Sequence, residues 1–334
     1  MIVNTEFHKD FKGIDITKFV MSFAVIAIHA PEFLWPENRT YPFLIDWIIR
    51  LAVPFFFISS GFLVQKKIIL LDKSLQKRYL RSRSIKLFRI WSLWLLIYLP
   101  LSIWGIWHST EPLNQKMIKY IGDVLLTGHS LYAHHLWFIY SLAIITWVWS
   151  LATKKILLGI WILFSSCVVL SFLEWISRSF ISPNNIPINS LLTWILGGGL
   201  PIFSGALFYY YSNKINRIRS YILAIFCIIS SLIFYSLKFP FWPFLGGVAL
   251  FIISYQIRPV LNLSYLILRK ESMWIYYLHM YVIMMTMVII RQFHISSSRV
   301  FLLLYICGIT WYISKGITRL CTLSKFKFLE ELIK

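Results

Sequence analysis

Four polar side chains interrupt an apolar stretch near the amino terminus, GIDITKFVMSFAVIAIHA: Asp15, Lys18, Ser22 and His29. Measured from Asp15 they are offset by 3, 7 and 14 residues. At about 100° per residue this places them within a sector of roughly 60° on one helix face. An ionisable group inside a membrane costs about 2.5–3.5 kcal/mol even on the lenient insertion scale, so each is a functional candidate. At about 1.5 Å per residue, His29 stands about 16 Å beyond Lys18 along the axis. The stripe therefore starts near one membrane face and ends toward the other. An imidazole there is a candidate catalytic group. The plainer reading is an interfacial Asp15–Lys18 ion pair and a His29 hydrogen-bonded to a neighbouring helix.

Asp46 and Arg50 follow at a spacing of four, then Pro54 and Ser59-Ser60-Gly61. Two readings stand side by side. The pair either neutralises itself and snorkels to the interface, or Arg50 faces the His29 cavity, where its forked donors would stabilise an oxyanion or bind a carboxylate or phosphate. Between residues 65 and 89, nine basic residues accompany a single acid, Asp72. Headgroup attraction accounts for part of that excess. Arg78, Arg81, Lys86 and Arg89 also run into the next apolar segment, so a helical continuation would aim cations at the interior and could bind a phosphate-rich ligand.

His135 opens a later apolar run, with Trp137 beside it in HHLWFIY, at a depth where aromatic belts occur. His279 lies in another run next to Tyr276 and Tyr277. Their plainer readings are a solvated interfacial side chain and a structural hydrogen bond. Gly197-Gly198-Gly199-Leu200-Pro201 and Gly205 could unwind to expose backbone donors, or could allow close helix packing. Cys167, Cys227, Cys307 and Cys321 show no CxxC and no Cys/His spacing suited to zinc. They read as packing residues, and no metal is expected.

The elements that must hold these groups are apolar helices. The 334-residue chain is 58% apolar and 14% charged, against about 25% charged in a soluble domain. An ordinary water-soluble enzyme is thereby excluded. The apolar positions fall into about ten runs of the length that crosses a hydrocarbon core, at 14–34, 43–64, 90–108, 136–152, 156–175, 191–211, 221–237, 242–257, 273–290 and 299–314. The expectation is an all-α, polytopic membrane bundle of about ten transmembrane helices, forming one domain over residues 1–334. The opening MIVNTEFHKDFKGID is polar and lacks a cleavage pattern, so the first span is expected to remain in the mature protein.

The net charge of +20 would suggest nucleic acid in a soluble chain. Its distribution indicates otherwise. With ten crossings both termini share one face, and all but eight of the 33 Lys and Arg lie on it (the exceptions are Arg39, Arg50, Lys116, Lys119, Arg178, Lys238, Arg291 and Arg299). The positive-inside rule makes that face, and both termini, cytoplasmic in an inner or plasma membrane. The charge then serves topology and anionic lipid, and no nucleic-acid partner is expected.

In order along nearly the whole chain, FKGIDITKFVMSFAVIAIHA, RLAVPFFFISSGFLV, RSRSIKLFRIW, HLWFIYSLA, GGGLPIFSGALF and SMWIYYLHMYVI resemble the acyltransferase 3 family of integral membrane acyltransferases, which includes sugar and cell-envelope O-acetyltransferases. The family carries an Arg followed after ten residues by the catalytic His. Lys18 and His29 keep that spacing with Lys in place of Arg. The substitution resembles the branch that includes the membrane part of serine racemase proteins of glycopeptide resistance, although no racemase domain follows in this sequence. Arg50 matches the family's Arg before Val-Pro-Phe-Phe, and Ser60-Gly61 its Ser-Gly pair.

The resemblance implies acyl-CoA, acetyl-CoA foremost, as donor on the cytoplasmic side, and a hydroxyl of an envelope glycan or lipid-linked sugar as acceptor. His29 would be base or acyl carrier, Arg50 the oxyanion stabiliser, and Lys18 and Asp15 the lining of the donor path. Arg83, Lys86 and Arg89 would bind its phosphates, with His135, Trp137, His279 and Ser60 as further candidates. Two other readings stand beside this one. A transporter or flippase of a lipid-linked glycan would also need a polar stripe, although no inverted repeat or second broken helix is evident. A non-catalytic subunit of envelope assembly would account for Lys in place of Arg.

Overall fold

Each expected apolar run folds as helix. The computed structural model describes residues 11–34, 41–108, 112–180, 188–212, 214–259, 264–294, 298–321 and 323, and every regular element among them is helical. The elements are α1 (Lys12–Leu34), α2 (Phe43–Arg50), α3 (Ala52–Ile69), α4 (Lys73–Trp107), α5 (Leu113–Thr127), α6 (Trp137–Trp149), α7 (Ile156–Phe180), α8 (Ile188–Tyr211), α9 (Arg217–Ser236), α10 (Trp242–Gln256), α11 (Tyr265–Gln292) and α12 (Arg299–Leu320). Short 3₁₀ turns at His134–Leu136 and Ser150–Lys155 flank α6. Eight segments are long and apolar enough to cross a membrane: α1, the α2–α3 pair, α4, α6 with its turns, α7, α9, α11 and α12. Helices α8 and α10 occupy the two remaining expected spans. The protein is an all-α, multi-pass membrane bundle. The first ten residues, Arg39 and the tail beyond Leu323, which carry part of the basic count, lie outside the described residues.

Local chemistry explains the interruptions. Pro54 has no N–H to donate to the carbonyl of Arg50, so the second span breaks there, and the Leu51 N–H turns back to the Ile48 carbonyl at 3.2 Å. Helix α4 starts at Lys73 and has 35 residues. At about 1.5 Å per residue that exceeds a hydrocarbon core of about 30 Å, and the basic stretch forms its projecting first turns.

Helix α5 had no counterpart among the expected spans. It is a 15-residue amphipathic helix, ended by Gly128 at φ 73°. Only glycine adopts that left-handed geometry readily.

Helix α1 packs on α11, α4 on α6, and α3 between α8 and α10. The α3–α8 contact is backbone to backbone: a Cβ at Gly61 would lie 1.9 Å from the Ile202 carbonyl oxygen, and one at Gly205 2.0 Å from that of Ile58. Helix α8 stays helical through Gly197–Pro201 and does not unwind; Gly198 and Gly199 pack against Phe57 and Cys167, while Gly197 meets no neighbour. The largest buried cluster joins α1, α4, α6, α11 and α12 around Trp94, Tyr98, Trp274, Tyr277 and Met280. Trp94 and Tyr277 stack within it at 4.5 Å and 2°. That stack fixes the wall behind the candidate site.

Candidate active site

The polar stripe of α1 faces α11, and the two helices are pinned together near the basic face. Asp15, 4% exposed, is held by both arms of Arg269, Nε to Oδ1 at 3.1 Å and Nη2 to Oδ2 at 2.7 Å. The expected Asp15–Lys18 ion pair is therefore not the one formed. Asp15 is spent on a helix clamp, and Lys18 has no ion-pair partner within 4 Å among the described residues. A bidentate guanidinium suits a carboxylate better than a flexible ammonium does, which decides the competition. Ser22 satisfies its hydroxyl on the Phe19 carbonyl at 2.6 Å.

Lys18 opens into a cavity of about 400 Å³ that also receives Ser60 of α3, Arg83 and Lys86 of α4, and Arg269, Tyr276 and Tyr277 of α11. The buried Nε of Arg83 has no hydrogen-bond partner. Three of the predicted phosphate-binding or path-lining cations thus converge. Arg89 does not reach this cavity. It lines a groove of about 790 Å³ along α4 with Lys77, Arg78, Arg81 and Lys86, and Lys86 belongs to both.

On the opposite side of the bundle His29 opens into a second cavity of about 550 Å³, with Trp137, Glu32, His134 and the polar face of α5. His279 and His135 form a layer that contacts residues lining both spaces, His29 on one side and Tyr276 on the other. His279 stacks on His29 with ring centres 5.5 Å apart and meets His135 edge-on at 4.7 Å. Tyr276, which lines the Lys18 cavity, lies 5.2 Å from the His135 ring and donates its hydroxyl to the His135 carbonyl.

The state of His279 follows from its partners. Its Nδ1 faces the Tyr276 carbonyl at 2.7 Å and the Ile275 carbonyl at 3.2 Å. Carbonyls only accept, so Nδ1 carries a proton, and in the neutral ring Nε2 keeps its lone pair. That Nε2 is buried without a partner, as are both ring nitrogens of His135. Tyr98, whose hydroxyl bonds the Tyr277 carbonyl at 2.7 Å, packs 5.3 Å from His135 and backs the layer. Among the described residues no group of three His, Cys, Asp or Glu side chains is placed to hold a metal. At the rim of the His29 cavity, burial and then the neighbouring His134 push the pKa of His129 down to about 4, so it is neutral near pH 7.

Arg50 does not join the cluster. It is 52% exposed and paired with Asp46 at 2.8 Å, whose Oδ2 also accepts the Tyr235 hydroxyl at 2.8 Å. It lines neither cavity. The self-neutralised reading describes its placement: the helix break brings Asp46 onto α9, and a partner one turn away costs less ordering than one across the bundle.

Arg269, Tyr98 and the α5 residues were not singled out in the sequence. A signal for Arg269 was available: Arg269, Ser272, Tyr276 and His279 are offset by 3, 7 and 10 and share a sector of about 80° on one helix. Tyr98 carried none, because its role depends on partners distant in sequence; α5 carried an amphipathic pattern, but not its place over the cavity.

The model of a family described as an acyltransferase domain matches residues 11–314. An amino-acid racemase of Enterococcus faecalis is 28% identical over 206 residues, 59% of this chain and 27% of that protein. A serine/alanine racemase of Enterococcus gallinarum is 30% identical over 129 residues, 38% of this chain and 17% of that protein. The matched stretches thus span about a quarter or less of those relatives' lengths. No solved structure matches the chain. With a family match running from the first turn of α1 well into α12, the chain belongs to the acyltransferase 3 family.

Proposed function

We propose that the protein is an O-acyltransferase of the inner or plasma membrane. It takes an acyl group, acetyl foremost, from acyl-CoA at the cytoplasmic face and passes it to a hydroxyl of an envelope glycan or lipid-linked sugar at the other face. The orientation rests on the basic excess of the α4 side. The observation that carries the reading is the meeting of two cavities at the His29–His279–His135 layer, with cations lining one and an imidazole opening to the other.

Lys18, Arg83 and Lys86 bind phosphate groups of the donor, and the α4 groove with Arg89 extends that surface. His29 accepts the acceptor's hydroxyl proton while the hydroxyl oxygen bonds the thioester carbon. As the tetrahedral oxyanion collapses and the carbon–sulfur bond breaks, the proton passes to the thiolate. A transient acyl group on His29 would use the same imidazole. His279, with its lone pair turned into the layer, steadies the imidazolium. Arg50 is tied to Asp46 and lines neither cavity, so it takes no part in stabilising the oxyanion in this reading.

Purified protein in lipid vesicles with labelled acetyl-CoA tests this through release of free CoA and labelled acceptor. His29→Ala should lower transfer by about 10²–10⁴-fold with unchanged thermal unfolding. Activity near wild type would remove His29 from the mechanism, and a flippase would release no CoA at all.

A further inference from the structure

The imidazole layer holds more hydrogen-bonding capacity than the fold spends. His135 is 2% exposed, and neither of its ring nitrogens has a partner among the described residues. An imidazole carries one N–H when neutral and two when charged. His135 therefore buries at least one donor that nothing in the fold receives. An unpaired buried donor destabilises a protein, so its retention calls for a use outside the fold.

The ring is nonetheless closely held. It stands in the 3₁₀ turn His134–Leu136 that leads into α6. Tyr98, Tyr276 and His279 enclose it edge-on, with ring centres at 5.3, 5.2 and 4.7 Å and interplanar angles of 72°, 76° and 64°. The Tyr276 hydroxyl, donated to the His135 carbonyl, fixes the backbone of the turn. Such a cage sets the direction of the N–H before a ligand arrives.

The donors on the enclosing rings are already engaged. Tyr98 gives its hydroxyl to the Tyr277 carbonyl, Tyr276 to that of His135, and His279 its Nδ1–H to those of Tyr276 and Ile275. Lys18 stands about 16 Å down α1 from His29, too far to meet the same reacting atom. Tyr276 lines the Lys18 cavity and His29 the other, so an acyl group passing between them crosses this layer. His29 stacks on the same His279 that His135 meets. The three rings thus supply a base on one side and an unspent donor on the other.

We propose that His135 is a catalytic residue whose free N–H receives the thioester carbonyl oxygen and stabilises the negative charge that develops there. When the acceptor's hydroxyl oxygen bonds the carbonyl carbon, the C=O π pair moves onto that oxygen, against the His135 N–H. As the pair returns, the carbon–sulfur bond breaks, its electrons leave with sulfur, and the proton taken up by His29 passes to the thiolate. His135 keeps its own proton throughout. The assignment rests on acyl transfer at this layer and supplies the oxyanion donor that Arg50, tied to Asp46, does not.

The test uses the full chain in lipid vesicles with two unreactive analogues of acetyl-CoA: acetonyl-dethio-CoA, a ketone with methylene in place of sulfur, and S-ethyl-CoA, which has no carbonyl. Wild type should bind the ketone about fivefold more tightly, the worth of one net hydrogen bond, and the ketone's C=O stretch should move to lower frequency on binding. His135→Phe should bind the two analogues alike and leave the stretch unmoved, and His135→Gln, which returns an N–H, should restore both signals. In everted membrane vesicles from expressing cells, which carry the acceptor, His135→Phe should lower kcat for CoA release by about 10²–10³-fold, with KM for acetyl-CoA raised no more than about fivefold. Its unfolding midpoint should equal or exceed that of wild type, because an unpaired buried polar group is removed. Equal affinity of wild type for the two analogues, an unmoved stretch in wild type, or a shift that persists in His135→Phe would each overturn the proposal. The wild-type and Gln measurements decide even where the Phe variant does not fold. A carbonyl signal that depends on His135, without CoA release by wild type, would sink the acyl-transfer reading and leave the carbonyl contact standing. Normal release by His135→Phe would do the reverse.

Discussion

Replacing Arg269 by Met removes the fork that holds Asp15, and the cost can be bracketed. Breaking a fully buried ion pair from one side costs about 3–5 kcal/mol, because a desolvated charge is left behind. An exposed pair is worth about 0–1 kcal/mol. Here the carboxylate is 4% exposed and the guanidinium 48%. Lys18, one turn along α1, can partly compensate, so the expected loss is about 2 kcal/mol, between those limits. In a chain of this size that lowers the unfolding midpoint by roughly 4 °C. Function should suffer as well. The clamp joins the helices that carry His29 and His279, about 21 Å and 15 Å away along their axes, and a shift of about 1 Å at a reacting group can cost 10²-fold. Thermal unfolding in detergent, read beside CoA release from acetyl-CoA, measures both. Asp15→Asn added to Arg269→Met removes both charges and should recover more than half of the lost stability. An Arg269→Met midpoint equal to wild type, or a double variant as unstable as the two single losses added, would refute the clamp.

Arg50→Gln should leave transfer within about twofold and stability within about 1 kcal/mol, as for an exposed i,i+4 pair; a 100-fold loss of kcat would return Arg50 to the site. Gly205→Val should destabilise strongly, since even its Cβ would lie 2.0 Å from the Ile58 carbonyl oxygen, and an unchanged unfolding midpoint would contradict the α3–α8 contact. His129, at about 4 against a usual 6.5, is neutral in the fold while the unfolded chain protonates first. Stability should therefore fall as pH drops from about 7 toward 4, by up to about 1.4 kcal/mol per unit, and His129→Gln should flatten that slope. His279→Phe keeps the ring stack and removes the lone pair. It should lower kcat by about tenfold or more with KM for acetyl-CoA within threefold, and an unchanged kcat would make His279 purely structural.

Much of the site was legible because chemistry and helical periodicity coincide. The stripe Asp15–Lys18–Ser22–His29 needed only the 3.6-residue repeat, and the cations of α4 needed only the expectation that a basic stretch would continue a helix inward. Charge pairing was less legible. Asp15 had Lys18 three residues away, and the bidentate partner from α11 won. Arg50 had two plausible destinations, and it takes Asp46, one turn back on its own helix, whose carboxylate also accepts the Tyr235 hydroxyl.

From the residues alone came the membrane, the number and place of the apolar runs, and the family, because each depends on local composition, order and spacing. Tertiary structure decided which polar groups share a space. It divided the α1 stripe between two cavities and turned His135 and His279 from separate candidates into one layer with His29. It also placed α5, too short and too polar to read as a span, over the His29 cavity. The physical reason is that a buried polar group takes the partner that best satisfies its geometry, and in a helical bundle that partner usually comes from another helix, at a separation no spacing rule encodes.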